Sequence, residues 1–256
     1  MNILFRSIDT EAHQLIAKEM NTKGSSCITN FLTPEQLISL QEHIRSNAEK
    51  HNGQYFAHHG GDAIESSLLG VLGAAPEFRK MLESIYQAGF GNTAYSDEIL
   101  KVLRCVQGNS GRRESNCFHY DASLVTVLLP IEIPQNGDDR GDLIIFPNLR
   151  RVRSNVLINV LEKALLQNAL SRKLITAAIG RHLLKPEKLQ LVPGNLYLFW
   201  GYRTLHANEP CDAASRRATA IFHYGDPHAG SLATRLILKL NQRRARRATA
   251  LTQPTA

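Results

Sequence analysis

The chain has 256 residues, 43% hydrophobic and 21% charged, an ordinary globular composition with length enough to bury a substantial core. No stretch approaches the ~18 uncharged apolar residues that a membrane span needs, and the opening MNILFRSIDTEAHQ reaches Arg6 too soon for a signal peptide, so neither is expected. The formal charge of +7 is local: Arg235, Lys239, Arg243, Arg244, Arg246 and Arg247 follow the last acidic residue, Asp226, and of 30 basic residues in all this leaves 24 against 23 acidic ones in the body.

That near-neutral body argues against nucleic acid as a partner, while the basic tail can make a peripheral contact with an anionic membrane surface. Four scattered cysteines, Cys27, Cys105, Cys117 and Cys211, contain no CxxC pair, which points to a reducing, cytoplasmic setting.

The N-terminal third reads as helical. Asp9 and Thr10 can cap a short helix over AHQLIAKEM, and Thr33-Pro34-Glu35-Gln36 is a capping box with proline at the first helical position, continued by LISLQEHIRSNAEK. The polar run from Lys50 to Gly61 predicts a loop, and Pro76 opens another helix through FRKMLESIYQAG. From Ile99 onward the texture changes to short β-rich runs: ILKVLRCVQ, SLVTVLLPI, DLIIFP, NLYLFW and RRATAIFHY. Their links, GNSGRRESN, PQNGDDRG and NEPCDAAS, have the turn chemistry of antiparallel connections, and the spacing predicts a sandwich or barrel.

One segment interrupts the β region. Apolar positions in residues 155–180 recur with helical spacing and predict an amphipathic helix inserted between strands. From Leu143 to Pro186 this insertion carries eight Lys or Arg against the single Glu162, so it can cover an anionic substrate or simply pack with a charged outer face. The expected layout is one catalytic domain: mainly helical support over 1–98, a β core over 99–226 with the insertion at about 150–186, and a basic C-terminal helix or tail over 231–256.

The run NCFHYDASLVTVLLPI places His119 and Asp121 two residues apart at the mouth of a strand, where period-two geometry turns both side chains to one face. A second block, PGNLYLFWGYRTLHANEPCDAASRRATAIFHYGD, adds His206. Two imidazoles and one carboxylate leave three positions open on an octahedral iron, as a bidentate co-substrate plus dioxygen requires, whereas zinc prefers a closed or nearly closed tetrahedral set.

Arg216 and Arg217 open the strand after His206, and a guanidinium there can hold a distal carboxylate in bidentate fashion. Alternation puts Arg217, Thr219 and Ile221 on one face and Arg216, Ala218 and Ala220 on the other. The Thr219 hydroxyl favours Arg217 as the inward residue, with Arg216 as the alternative. His58 and His59 sit in the polar loop. His223 shares the parity of Arg217, and His228 follows the last strand. Arg104 and Gln107 either line a cavity or face solvent, and Trp200 and Tyr202 either wall the pocket or fill the core.

Taken in order, HYD, GDLIIFPN, PGNLYLFWGYRTLHANEP and RRAT resemble the successive signature elements of the iron(II) and 2-oxoglutarate dioxygenases, over roughly residues 99–226. The resemblance implies an α+β fold, a double-stranded β-helix (jelly roll) preceded by supporting helices. It also implies Fe(II) held by His119, Asp121 and His206, 2-oxoglutarate held at its far carboxylate by Arg217 with Thr219 assisting, and O2 as oxidant.

The activity it implies is hydroxylation of a small-molecule, amino-acid or lipid-like substrate, with release of succinate and CO2. Asp121 argues against halogenation, because halogenating members of that family lack the carboxylate ligand. Two alternatives share the fold: a nucleic-acid or nucleotide-directed oxidative demethylase of the same chemistry, and a non-catalytic jelly-roll binding protein. Substrate identity and oligomeric state are written in no motif.

Overall fold

A computed structural model describes residues 9–229, apart from 136, 138, 154 and the side chain of residue 157; the basic segment 231–256 lies outside the described residues. The strands, in chain order, are β1 (Ser25–Ile28), β2 (Phe56–His59), β3 (Ile99–Val106), β4 (Val125–Glu132), β5 (Leu143–Phe146), β6 (Glu187–Leu189), β7 (Leu196–Phe199), β8 (Leu205–Asn208) and β9 (Arg217–Tyr224). They make two antiparallel sheets, a major one in the order β1-β7-β4-β9-β3-β2 and a minor one in the order β6-β5-β8.

Alternation along the strands decides what each face does. On β4 and β9, Val125, Val127, Leu129, Ile131, Ala218, Ala220, Phe222 and Tyr224 turn outward and join the largest apolar cluster. The helices that complete this cluster are α1 (Thr10–Thr22), α2 (Pro34–Lys50), α4 (Leu68–Ala74) and α5 (Pro76–Phe90); α3 (Asp62–Glu65) is a single turn before α4. Residues of opposite parity, among them Leu128, Tyr197, Phe199 and Ile221, turn inward against Leu143 and Ile145 of the minor sheet. A strand buried on both sides thus carries a core face and an inter-sheet face at once.

The helices start where capping chemistry dictates. Asp9 Oδ1 accepts the Ala12 N–H at 2.7 Å. At α2, Thr33 Oγ1 accepts the Gln36 N–H at 3.3 Å while Gln36 Oε1 accepts the Thr33 N–H at 2.9 Å, the reciprocal box expected. Pro76 opens α5, and Gly91 closes it in the left-handed region at φ 73°.

Three local differences from the sequence reading have clear causes. The stretch predicted as loop between Lys50 and Gly61 contains β2, whose Phe56 to His59 pair with Cys105 to Val102; it is an edge strand too short to show alternation. The 155–180 insertion is two helices, α7 (Val156–Leu166) and α8 (Ala169–Gly180), because Asn168 accepts the Ser171 N–H at 3.0 Å and starts a new helix. The N-terminal third is more than a helical buttress, since β1 and β2 form both edges of the major sheet. A short helix, α6 (Gly108–Arg112), follows β3. Among the described residues no helix is long and apolar enough to cross a membrane.

Trp200 and Tyr202 go to the core. The Trp200 indole is fully buried, donates to Asn21 Oδ1 at 3.0 Å and meets the Phe90 ring edge-on at 4.7 Å. Gly89 lies against it: a Cβ there would stand 2.2 Å from Trp200 Cη2. Replacing Gly89 with valine should therefore cost about 1–3 kcal/mol of unfolding free energy through overpacking. Valine adds little helix propensity in return. Because Trp200 is the single tryptophan, its fluorescence during urea unfolding reports the effect directly.

Candidate active site

The segment from Asn116 to Asp121 crosses from one sheet to the other. His119 exchanges both backbone hydrogen bonds with His206, at 3.0 and 3.1 Å, and so extends the minor sheet beyond β8. Two residues on, the Asp121 N–H donates to Gly201 O at 3.0 Å, beside the end of β7 in the major sheet. His206 lies within its own short strand, β8, paired with Ile145.

This crossing brings together the residues singled out for metal. His119 Nε2 is 3.6 Å from Asp121 Oδ1, His206 Nε2 is 3.6 Å from Asp121 Oδ2, and one ligand atom from each side chain lies within 4.8 Å of the others. Both imidazoles are oriented by their own backbone: His119 Nδ1 lies 2.8 Å from Cys117 O, and His206 Nδ1 lies 3.0 Å from Thr204 O. A carbonyl accepts only from N–H, so these contacts put the ring proton on Nδ1 and leave each Nε2 lone pair free for a cation.

Electrostatics agree with that role. Burial, with His206 adding to it, pushes the His119 imidazole down to about 4, so the ring is neutral near pH 7. For Asp121, burial alone would raise the carboxyl; the surrounding imidazoles, His206 first, then His223 and His119, and the Thr126 hydroxyl outweigh it and hold it below the usual carboxylate range. Thr126 Oγ1 donates to Asp121 Oδ2 at 2.6 Å.

Arg217 lies deeper between the sheets, 1% exposed. Its Nη2 donates to Asn208 Oδ1 at 2.9 Å and its Nη1 to Thr219 Oγ1 at 3.4 Å, while its buried Nε has no hydrogen-bond partner. Among the described residues no carboxylate forms an ion pair with it. Burial, reinforced by Arg104, pushes the guanidinium down to about 10. The same cavity is lined by His119, Asp121, His206, Arg217, Thr219 and Asn208, with Leu128, Leu143, Phe199 and Ile221 as apolar walls, and its volume is about 60 Å³.

Arg216 turns to the opposite face and does not reach this cavity. Its Nε and Nη2 donate to the two carboxylate oxygens of Glu132 at 2.7 and 2.9 Å, a bidentate pair. Arg104 lines the cavity and pairs with Glu114 at 2.9 Å, because β3 is flanked on both sides and its inward parity reaches the void. Gln107 instead donates to Gln54 O at 2.9 Å, a structural contact. His223 also lines the cavity, 3.8 Å from Asp121 Oδ2. His58 and exposed His59 lie on β2 and are not among the lining residues, and His228 contacts the Tyr202 hydroxyl at 3.1 Å.

Several contributors were not singled out from the sequence. Asn208 and Thr126 follow from strand parity alone, as each lies on the inward face of its strand. The insertion also reaches the site: Lys163 Nζ donates to Asp121 O at 3.0 Å and Gln167 Nε2 to Tyr120 O at 3.3 Å. The Arg150 guanidinium lies over the rings of Tyr120 and Tyr202, at 4.0 and 4.2 Å, and pairs with Glu162 of α7 at 3.1 Å.

No protein-family profile and no curated protein matches the sequence. Solved structures do. The non-heme alpha ketoglutarate dependent epimerase SnoN from nogalamycin biosynthesis matches with a TM-score of 0.55 and 15% identity, over 85% of this chain and 82% of that one. A prolyl 4-hydroxylase from Phytophthora capsici matches with a TM-score of 0.54 and 14% identity, over 91% of this chain and 71% of that one. A prolyl-4-hydroxylase from Pseudomonas putida matches with a TM-score of 0.52 and 13% identity, over 83% and 98%. At these identities the likeness is one of fold: the chain adopts the α+β jelly-roll architecture of the iron and 2-oxoglutarate oxygenases, with supporting helices on the outer face of the major sheet.

Gly201 gives the triad a specific test. A Cβ built there would meet Thr126 Oγ1 at 2.0 Å and Asp121 Oδ2 at 2.3 Å, so Gly201→Ala must displace the carboxylate or the hydroxyl that holds it. Divalent-metal affinity, read by calorimetric titration with cobalt(II), should fall about 10–100-fold. Circular dichroism should stay unchanged.

Proposed function

We propose that the chain is an Fe(II)- and 2-oxoglutarate-dependent oxygenase that hydroxylates a small-molecule, amino-acid or lipid-like substrate while 2-oxoglutarate and O2 become succinate and CO2. One observation carries the reading: the Arg217 guanidinium, buried with a free Nε and no carboxylate partner among the described residues, in the same cavity as two Nε2 lone pairs and a carboxylate. A buried cation without an anion is costly, and a dicarboxylate able to reach from a metal to Arg217 would complete both ends of the cavity. The donor set fits iron(II), with two imidazole nitrogens, one carboxylate oxygen and room for further ligands on the cavity side.

Within this reading His119, Asp121 and His206 hold the metal, and Cys117 O and Thr204 O fix the two imidazoles in the ligating tautomer. Bound iron(II) would supply the redox chemistry that activates dioxygen. Arg217 binds the far carboxylate of 2-oxoglutarate, with Thr219 and Asn208 accepting its N–H groups and holding the guanidinium in place. Leu128, Leu143, Phe199 and Ile221 exclude water from the co-substrate's methylene groups. Gly141 makes room for Arg217: a Cβ there would stand 2.6 Å from Arg217 Cδ, and its φ of 72° disfavours any side chain.

The test is succinate formation from 2-oxoglutarate in the presence of iron(II), O2 and ascorbate. His119→Ala, Asp121→Ala and His206→Ala should each abolish it while leaving the fold intact; full turnover in any of them removes the site assignment. Arg217→Ala should raise the 2-oxoglutarate concentration needed by on the order of 30-fold or more. Arg216→Ala, which only breaks a half-exposed ion pair, should change it far less. The opposite ranking would contradict the co-substrate assignment.

A further inference from the structure

The α7–α8 hairpin has two apolar faces, and only one of them is covered. Leu166, Ile175 and Ile179 pack on the cluster of Phe118, Tyr120, Ile144, Leu205 and Ala207 at the outer face of the minor sheet. Ile158, Leu161 and Leu165 follow one another three and four residues apart along α7, and Leu170 and Leu174 stand four apart on α8, each 48–66% exposed. Of the fifteen large hydrophobic side chains exposed among the described residues, nine lie between Leu149 and Leu184. A concentration of this kind marks an interaction surface and not the scatter normal on a soluble protein.

The charge on this surface is one-sided. The only acid of the insertion, Glu162, is engaged by Arg150 and Arg153, and Lys163 is turned inward onto Asp121 O. That leaves Arg151, Arg172, Lys173, Arg181 and Lys185, none of which makes an ion pair among the described residues.

Charge decides among the occupants such a face can have. A second copy related by two-fold symmetry would set these cations against themselves. The chain's own C-terminal segment, with six cations and no acid after Asp226, would be repelled in the same way. A bilayer containing acidic lipids offers both hydrocarbon for the leucines and negative charge for the Lys and Arg.

We propose that the α7–α8 hairpin binds an anionic membrane surface, laying its Ile158–Leu174 stripe at the headgroup–acyl boundary with the cations among the lipid headgroups. At the turn between α7 and α8 a groove lined by His119, Gln167 and Arg172 leads to the histidine of the site. A seated hairpin would thus hold this groove at the lipid surface, which points to amphiphiles carrying an anionic group as substrates; that consequence alone rests on the oxygenase reading.

Vesicle co-sedimentation of the full chain, without iron or co-substrate, tests the docking separately from the chemistry. The wild type should sediment with phosphatidylcholine vesicles containing phosphatidylglycerol, should not with phosphatidylcholine alone, and should be released by salt. Replacing Leu161, Leu165, Leu170 and Leu174 together by serine should weaken binding by about tenfold or more. Lys173→Glu with Arg181→Glu, which alters only exposed charges, should do likewise.

Absence of wild-type binding to anionic vesicles overturns the proposal, as does equal binding by the variants, which would put the contact elsewhere on the chain. A wild type that light scattering shows to be a dimer, and that the serine variant converts to a monomer, would assign the face to a second copy instead.

Discussion

A guanidinium with 1% of its surface exposed and a buried Nε that donates to nothing is an unfinished arrangement. Arg217 is held there by the Asn208 side-chain oxygen Oδ1, the Thr219 hydroxyl and the absence of a side chain at Gly141, all of which orient the cation without neutralising it. Burying an unpaired charge disfavours folding, and such sites persist where a ligand completes them. The His119, Asp121 and His206 side chains share the same cavity, with the carboxylate held ionised by the imidazoles and a hydroxyl around it. The two halves of the site are complementary to a molecule with one chelating end and one carboxylate end.

Strand parity is what brings these groups together. On β9 the residues Ala218, Ala220 and Phe222 belong to the core under the helices, so Arg217, Thr219, Ile221 and His223 must face the other sheet. A one-residue slip of β9 against β3 or β4 would bury Arg216 in place of Arg217 and break its bidentate pair with Glu132. The helical packing of the N-terminal third and the chemistry of the inter-sheet face are therefore two consequences of one register.

Much of this was readable from the residues. The His119–Asp121 spacing, the later His206 and the Arg217–Thr219 pair pointed to residues that the structure brings to one cavity, because each is a local pattern placed by period-two geometry; capping residues marked α1 and α2, and Pro76 marked α5. What the sequence hid has physical reasons. β2 is an edge strand of four residues with a buried Phe56, a half-exposed His58 and an exposed His59, too short for alternation to register. The Asn168 cap that splits the insertion is overridden, in a periodicity reading, by apolar residues on both sides of it. Gly201 and Gly141 act by what they lack, and only the approach of Asp121 and Arg217 reveals them. Trp200 shares the outward parity of Leu196 and Leu198, so its place in the core follows from the same alternation that sends Tyr197 and Phe199 inward.

The account stands or falls on whether the cavity accepts metal and 2-oxoglutarate together. Anaerobic titration of the iron(II)-loaded protein with 2-oxoglutarate, followed by visible absorption, measures this directly. A metal-to-ligand charge-transfer band that grows to saturation at one equivalent of iron, and that needs far more 2-oxoglutarate in the Arg217→Ala protein, is the expected result. Tight iron binding with no band at any concentration of 2-oxoglutarate would contradict it.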